Sequence, residues 1–343
     1  MTTPQRAVAA SAIMALGILA QPASADEIAD FYKGKTVSIV IGHQVGTGFD
    51  IYARIVARHL SKHIPGNPGI VVQNMVGASG ITAANWLENV AAKDGTVMAT
   101  FVHTVAFEPL FGNEKAKYDP AKLSWIGNLE EPHGMCGVTK ASGIATFDDL
   151  LTKEVVFGAT GATGPLGTFA QAVRKLTGAK FKVVYGYKGS ADVKLAMNRG
   201  EVHGICGLPL STVKSFWGDE FKSGDFKPVI QLSGKPHPDL KGLPNIDSYA
   251  KSDEDKQVFG LIFGAQALGR VYVSPSQQPA ARTNALRTAL MATARDKEFL
   301  ADADKTKIEI DPMTGEEVAN LIAKISSVSP AAVERAKQAI SRN

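Results

Sequence analysis

Thr36-Val-Ser-Ile-Val-Ile41 runs straight into Gly42-His-Gln-Val-Gly-Thr-Gly48, and apolar residues then recur at Ile51, Ile55, Val56 and Leu60. The short apolar run predicts a strand, the glycines a loop, and the spacing of the later apolar positions a helix. Thr47 and Asp50 have the form of a capping box, so the loop is expected to bring backbone N–H groups together at a helix N-terminus. Further along, Pro65-Gly-Asn-Pro-Gly69 breaks the chain before a second strand, Ile70 to Asn74. Ala83 to Ala92 reads as helix, and Asp94-Gly95 turns into a third strand, Thr96 to Val102. Strands alternating with helices predict an α/β fold built on a mainly parallel sheet.

A second series of the same kind follows, with strands at 134–139, 154–158, 181–185 and 202–207 and helices at 146–152, 166–177 and 190–198. A polar, Pro-rich stretch from Ser233 to Pro244 interrupts it. The chain resumes with an apolar run, Val258 to Ala267, and closes with helices at 278–295, 315–327 and 330–341. A length of 343 residues fits two domains. With 45% hydrophobic positions the chain is not a disordered one. Lys and Arg total 37 against 33 Asp and Glu without a basic cluster, which leaves no electrostatic footprint for nucleic acid.

Met1 to Ala25 reads as an export signal: a cation at Arg6, an apolar stretch from Ala7 to Ala20, and the small-x-small triplet Ala23-Ser24-Ala25. The apolar stretch is shorter than the ~20 residues a membrane span needs. Cleavage after Ala25 and release into a periplasm are therefore expected, and that compartment is oxidising. This matters for a short internal echo. Glu131-Pro-His-Gly-Met-Cys-Gly-Val138 and Glu201-Val-His-Gly-Ile-Cys-Gly-Leu208 share one pattern. Two His and two Cys could hold zinc, although His-x-x-Cys is looser than the usual paired spacing. A Cys–His nucleophile pair is a second reading, and a Cys136–Cys206 disulfide between neighbouring strands is a third; the compartment favours the disulfide.

Several motifs, taken in order, resemble those of the substrate-binding proteins of tripartite tricarboxylate transporters, the Bug family of periplasmic receptors. The first strand, glycine loop and Asp50 are similar to that family's Ile-Val-x-Pro-x-x-x-Gly-Gly-x-x-Asp, and Gln73-Asn-Met-Val-Gly-Ala-Ser-Gly80 to its Glu-Asn-Arg-x-Gly-Ala-Gly-Gly. Asp94-Gly95 and Tyr118-Asp119-Pro120 resemble its Asp-Gly-Tyr-Thr and Tyr-Asp-Pro. Tyr187-Lys188-Gly189-Ser190 with Gly200-Glu-Val202 resembles its Tyr-Lys-Gly-Ser…Gly-Gly-x-Val-Asp. The resemblance implies a two-lobed Venus-flytrap periplasmic binding protein, type II-like. Lobe 1 would comprise 26–131 plus 256–343 and lobe 2 would comprise 132–255, with a small organic acid held in the cleft by loops 43–49 and 159–168. The partners implied are that acid and membrane transporter subunits, with the receptor itself a monomer.

The residues of the two loops support such chemistry independently. Gly/Thr-rich turns from a strand into a helix let consecutive N–H groups converge at the positive end of the helix dipole, an anion site that needs no lysine or arginine. Neither loop contains a cation. The candidate contacts are His43, Gly46, Thr47 and Asp50 in the first loop, His103 after the third strand, and Thr160, Gly161 and Thr163 in the second loop. Thr47 has capping as its alternative role, and Asp50 is the acid expected to meet a ligand ammonium or hydroxyl. His133, His203 and His237 also fall at positions this fold would place near the cleft or hinge. Hydrolase, zincin, Walker and dinucleotide motifs are missing from the sequence, so a binding protein without catalysis, cofactor or metal is expected, the rival being a secreted metal- or thiol-dependent enzyme. A sensing module for a signalling partner would use the same cleft.

Overall fold

The computed structural model describes residues 25–161 and 165–341. The first part of the chain forms α1 (Ala25–Tyr32), β1 (Thr36–Ile41), α2 (Gly48–Leu60), β2 (Gly69–Asn74), α3 (Ile81–Asn89), β3 (Val97–Thr100) and β4 (Ser124–Asn128). The middle forms β5 (Gly134–Thr139), α4 (Asp149–Thr152), β6 (Val155–Gly158), α5 (Pro165–Thr177), β7 (Phe181–Val184), α6 (Ser190–Asn198), β8 (Gly204–Pro209), α7 (Leu210–Phe216), α8 (Gly218–Ser223) and β9 (Phe226–Gln231). The last part forms α9 (Asp253–Ile262), β10 (Val271–Ser274), α10 (Ala280–Thr293), α11 (Lys297–Lys305), β11 (Met313–Thr314), α12 (Gly315–Ser326) and α13 (Pro330–Ile340). The apolar run at 258–267 is the end of a helix and a short 3₁₀ turn, Gly264–Ala267.

Two sheets carry the architecture, one ordered β11-β4-β10-β3-β1-β2 and the other β7-β6-β8-β5-β9. Each is mixed, which corrects the expectation of mainly parallel sheets. In the first, β1 pairs in parallel with β2 and β3, while β10 runs antiparallel to both β3 and β4. In the second, β6 is parallel to β7 and β8, whereas β5 is antiparallel to β8 and β9. The cause lies in the connectivity. Helical crossovers generate the parallel triplets β2-β1-β3 and β7-β6-β8, whereas β10 and β5 follow segments that pass between the two sheets and enter from the opposite end.

Alternation along β1 sends Val37, Ile39 and Ile41 into one apolar layer with Tyr52, Ile55, Val56 and Leu286, and Val40 into the layer on the other face. That second layer continues through Phe259 and Phe263 to Phe157, Cys136 and Cys206 of the other sheet. Its path is made by helices: α9 and α13 pack on α5, with Phe169 and Phe263 at 5.8 Å and Lys175 Nζ donating to Gln338 O at 2.8 Å. The last helix of the chain therefore sits beside a helix of the second sheet, while α12 covers β4 of the first.

The histidine–cysteine echo is resolved by register. Strands β5 and β8 are antiparallel neighbours with Cys136 directly opposite Cys206, and the two cysteines form a disulfide. Both sulfurs are consumed, and antiparallel pairing sends His133 and His203 to opposite ends of the strand pair, so the echo does not build a zinc or thiol centre. His203 accepts the Val156 N–H on Nδ1 at 3.1 Å. His133 packs edge-on against His237 at 4.5 Å, with Nε2 3.8 Å from Asp311. Both cysteine side chains are buried, so alkylation of protein taken from an oxidising compartment should modify neither until a reductant and denaturant are added. Replacing both with Ala should lower stability by roughly 2–5 kcal/mol in urea unfolding, since the bridge closes a long loop; unchanged stability would contradict this.

Candidate functional site

The carboxyl end of β1 is where this site begins. A Cβ added to Gly42 would lie 3.0 Å from Gly80 Cα and 3.0 Å from Phe101 Cβ, so the ends of β1 and β3 and the start of α3 approach closely there. The chain then loops through 43–47 into α2. Gly46 takes φ +81°, and its N–H donates to Asp50 Oδ2 at 2.9 Å. Thr47 does not cap the helix. Its hydroxyl donates to Gln44 O at 2.8 Å, and no side-chain cap bond is made at the α2 N-terminus. The expected capping box is therefore not formed: Asp50 reaches back to Gly46, one residue too far, and the first-turn amides of α2 receive nothing from Thr47.

Asp50 is also removed from any role toward a ligand cation. Its buried carboxylate accepts from Arg54 Nε at 3.0 Å and from Asn74 Nδ2 at 3.0 Å, besides Gly46. The hydrogen bond from Arg54 chiefly holds its pKa down at about 2 against the opposing effect of burial. With its oxygens occupied, it anchors the loop.

His43 lies flat on Phe49, ring centres 4.4 Å apart and 8° from parallel, and its buried Nε2 has no hydrogen-bond partner among the described residues. Burial and then the nearby charge of Arg270 push its pKa down. His103, which opens the 3₁₀ turn His103–Phe107 after β3, is lowered by the same two causes to about 4. Both rings are thus neutral at pH 7, and both feel one cation.

That cation is the residue the sequence reading missed. Arg270 follows Gly269 and precedes β10, and its guanidinium carbon stands 4.6 Å above the Phe49 ring and 4.8 Å above the Tyr52 ring. Nη1 donates to Gly269 O at 2.6 Å, and Nη2 lies 3.3 Å from Glu130 Oε2. A Cβ on Gly48 would come within 2.8 Å of Nη2, so the guanidinium passes close against the first residue of α2. A signal existed: Arg270 is the single charged residue between Val258 and Ser274. The backbone around it is clamped across the two crossing segments. Asn128 Nδ2 donates to Glu130 O at 2.6 Å and to Ala267 O at 3.0 Å, while its Oδ1 accepts from Arg270 N at 2.8 Å.

The second loop leaves β6 at the position β1 holds in the first sheet, the middle of a parallel triplet. Gly186 N donates to Thr160 O at 2.9 Å and Tyr187 N to Ala159 O at 3.3 Å, which ties the loop's start to the segment before α6. Gly161 is exposed and open on all sides, and its φ lies outside the left-handed range, so backbone strain does not require glycine there. Thr163 lies outside the described residues, as do residues 1–24 of the expected signal.

No protein-family model matches the chain. A Cupriavidus necator relative, the UPF0065 protein in the gbd 5′ region, is 26% identical over 264 residues, covering 75% of this chain and 76% of that protein. Among solved structures, a TctC solute-binding protein from Polaromonas superposes with a TM-score of 0.71 at 17% identity, covering 89% of this chain and 99% of that one. The periplasmic binding protein BugD gives 0.56 at 17% identity, covering 90% and 98%. A Rhodopseudomonas palustris protein solved with adipate gives 0.57 at 19% identity, covering 89% and 97%. The chain therefore has the two-lobed fold of periplasmic binding proteins, and its structural neighbours are TctC and Bug proteins, the kind its motifs resemble.

The Asp50 anchor yields a direct test. Its pKa is lowered from 3.8 to about 2 on folding, so its contribution is complete above the unfolded value and is lost as pH falls through about 2. Asp50→Asn should cost about 2 kcal/mol at pH 7 in urea unfolding, and the deficit should shrink toward pH 3 and below. An unchanged unfolding midpoint at pH 7 would contradict the anchoring role.

Proposed function

We propose that this protein is an extracytoplasmic solute receptor that closes on a small organic acid and presents it to membrane transporter subunits. The observation that carries the reading is the uncapped start of α2. It opens from a glycine loop at the carboxyl end of β1, in a sheet whose parallel triplet recurs in the second sheet. In open α/β sheets ligands bind beyond the carboxyl ends of the strands, and uncapped helix amides favour an anion. Relatives by fold support the class of ligand, since one was solved with adipate and another with malate. Thr160 and Gly161, which follow β6, are the contacts proposed from the second sheet. The lobes read from the sequence are 26–131 plus 256–343 and 132–255; because α9 and α13 pack on α5, the proposal moves those two helices to the second lobe. The sequence of residues 1–25 supports export to the periplasm, and no described helix is long and apolar enough to cross a membrane.

Thermal-shift screening and calorimetry with adipate, malate, succinate and citrate test the reading, with product analysis alongside. An acid at a hundred times its Kd should add ~2.7 kcal/mol of stability and emerge unaltered. No response to any of them, or turnover of a bound acid, would overturn the receptor assignment. Gly46→Val should abolish the response while the protein stays folded, because φ +81° is strained for a β-branched residue and the space around it is open. Undiminished binding by that variant would remove the first loop from the site.

A further inference from the structure

Two positive features converge at one place beside α2. One is the N-terminus of the helix, uncapped by Thr47; the other is the Arg270 guanidinium, which passes Gly48 so closely that a Cβ there would meet Nη2 at 2.8 Å. Like charges at this separation repel, and an anion between them relieves the repulsion. The acids at hand supply little of it. Asp50 is spent on Arg54, Asn74 and Gly46. The Glu309 carboxylate faces Lys214 at 3.9 Å. Glu130 remains, 3.3 Å from Nη2, its side chain only 9% exposed and its Oε2 without a hydrogen bond among the described residues. Arg270, in contrast, is 21% exposed, held flat over Phe49 and Tyr52 and fixed by Gly269 O.

Resting on the receptor reading, we propose that Arg270 is the side-chain seat for one ligand carboxylate, and that Glu130 is a built-in counter-ion competing with the ligand for it. The guanidinium is pre-organised by its two aromatic neighbours and by its bond to Gly269, so a carboxylate that displaces Glu130 from Nη2 meets it with little loss of side-chain freedom. Glu130, buried and paired with Nη2, compensates the guanidinium charge in the unliganded receptor and thereby weakens the seat. The neutral state of His43 and His103 fits this placement, since neither ring adds a charge. A Cβ at position 48 would crowd the Arg270 guanidinium and make it shift. On this proposal a side chain joins the backbone amides in meeting the ligand's charge.

The test is calorimetry with adipate and malate, at fixed ionic strength, on wild type, Glu130→Gln, Arg270→Met and the double variant Arg270→Met/Glu130→Gln. Arg270→Met leaves Glu130 buried and unpaired and can fail to fold; the double variant removes both charges and keeps the test open. Loss of Arg270 in the double variant should weaken binding at least about tenfold, the scale of a charged hydrogen bond. Glu130→Gln alone should tighten it severalfold, because the competitor is gone. Binding by the double variant within twofold of wild type, or weaker binding by Glu130→Gln, would overturn the proposal while leaving the receptor reading intact. Should wild type bind neither acid nor any other in the screen, both readings fall together.

Discussion

A single guanidinium joins the parts of this molecule that have to be in register. Arg270 stacks on two aromatic residues from the first turns of α2, bonds Gly269 at the crossing segment and pairs with Glu130 on the other crossing segment. Asn128 ties those two segments together from behind. Removing one member of such a buried pair typically costs 3–5 kcal/mol, because the partner is left charged and unsolvated. The place where the chain passes between its sheets and the place where α2 starts are thus set by the same few contacts.

The parallel triplets were legible in the sequence because each of their strands is bracketed by glycine, proline or a helix with clear periodicity. Strands β4 and β10 were not. Val271–Ser274 is too short to show alternation, and Ser124–Asn128 is interrupted by glycine, so neither reads as a strand until the other is beside it. These two strands make the first sheet mixed. The general point is physical: a strand that owes its existence to pairing with a distant segment carries little local signal.

The site was legible to a similar degree. The first loop was found from its glycines, yet the roles of Thr47 and Asp50 were exchanged for others by tertiary contacts. Asn74 and Arg54 capture the carboxylate that the local pattern assigned to a capping box. Histidines drew notice because imidazole chemistry is versatile, and here His133, His203 and His237 are engaged with backbone or with each other. Arg270 drew none, because it belongs to neither loop and is carried to α2 by the fold.

In the proposed receptor, charge recognition converges on the first turn of α2 and on Arg270. A crystal structure with bound acid decides this. It should show one carboxylate against the amides at Gly48 and Phe49, with an oxygen in hydrogen-bond distance of the Arg270 guanidinium and Thr160 and Gly161 against the other end of the ligand. An acid seated away from α2, with Arg270 engaged by Glu130 alone, would contradict it.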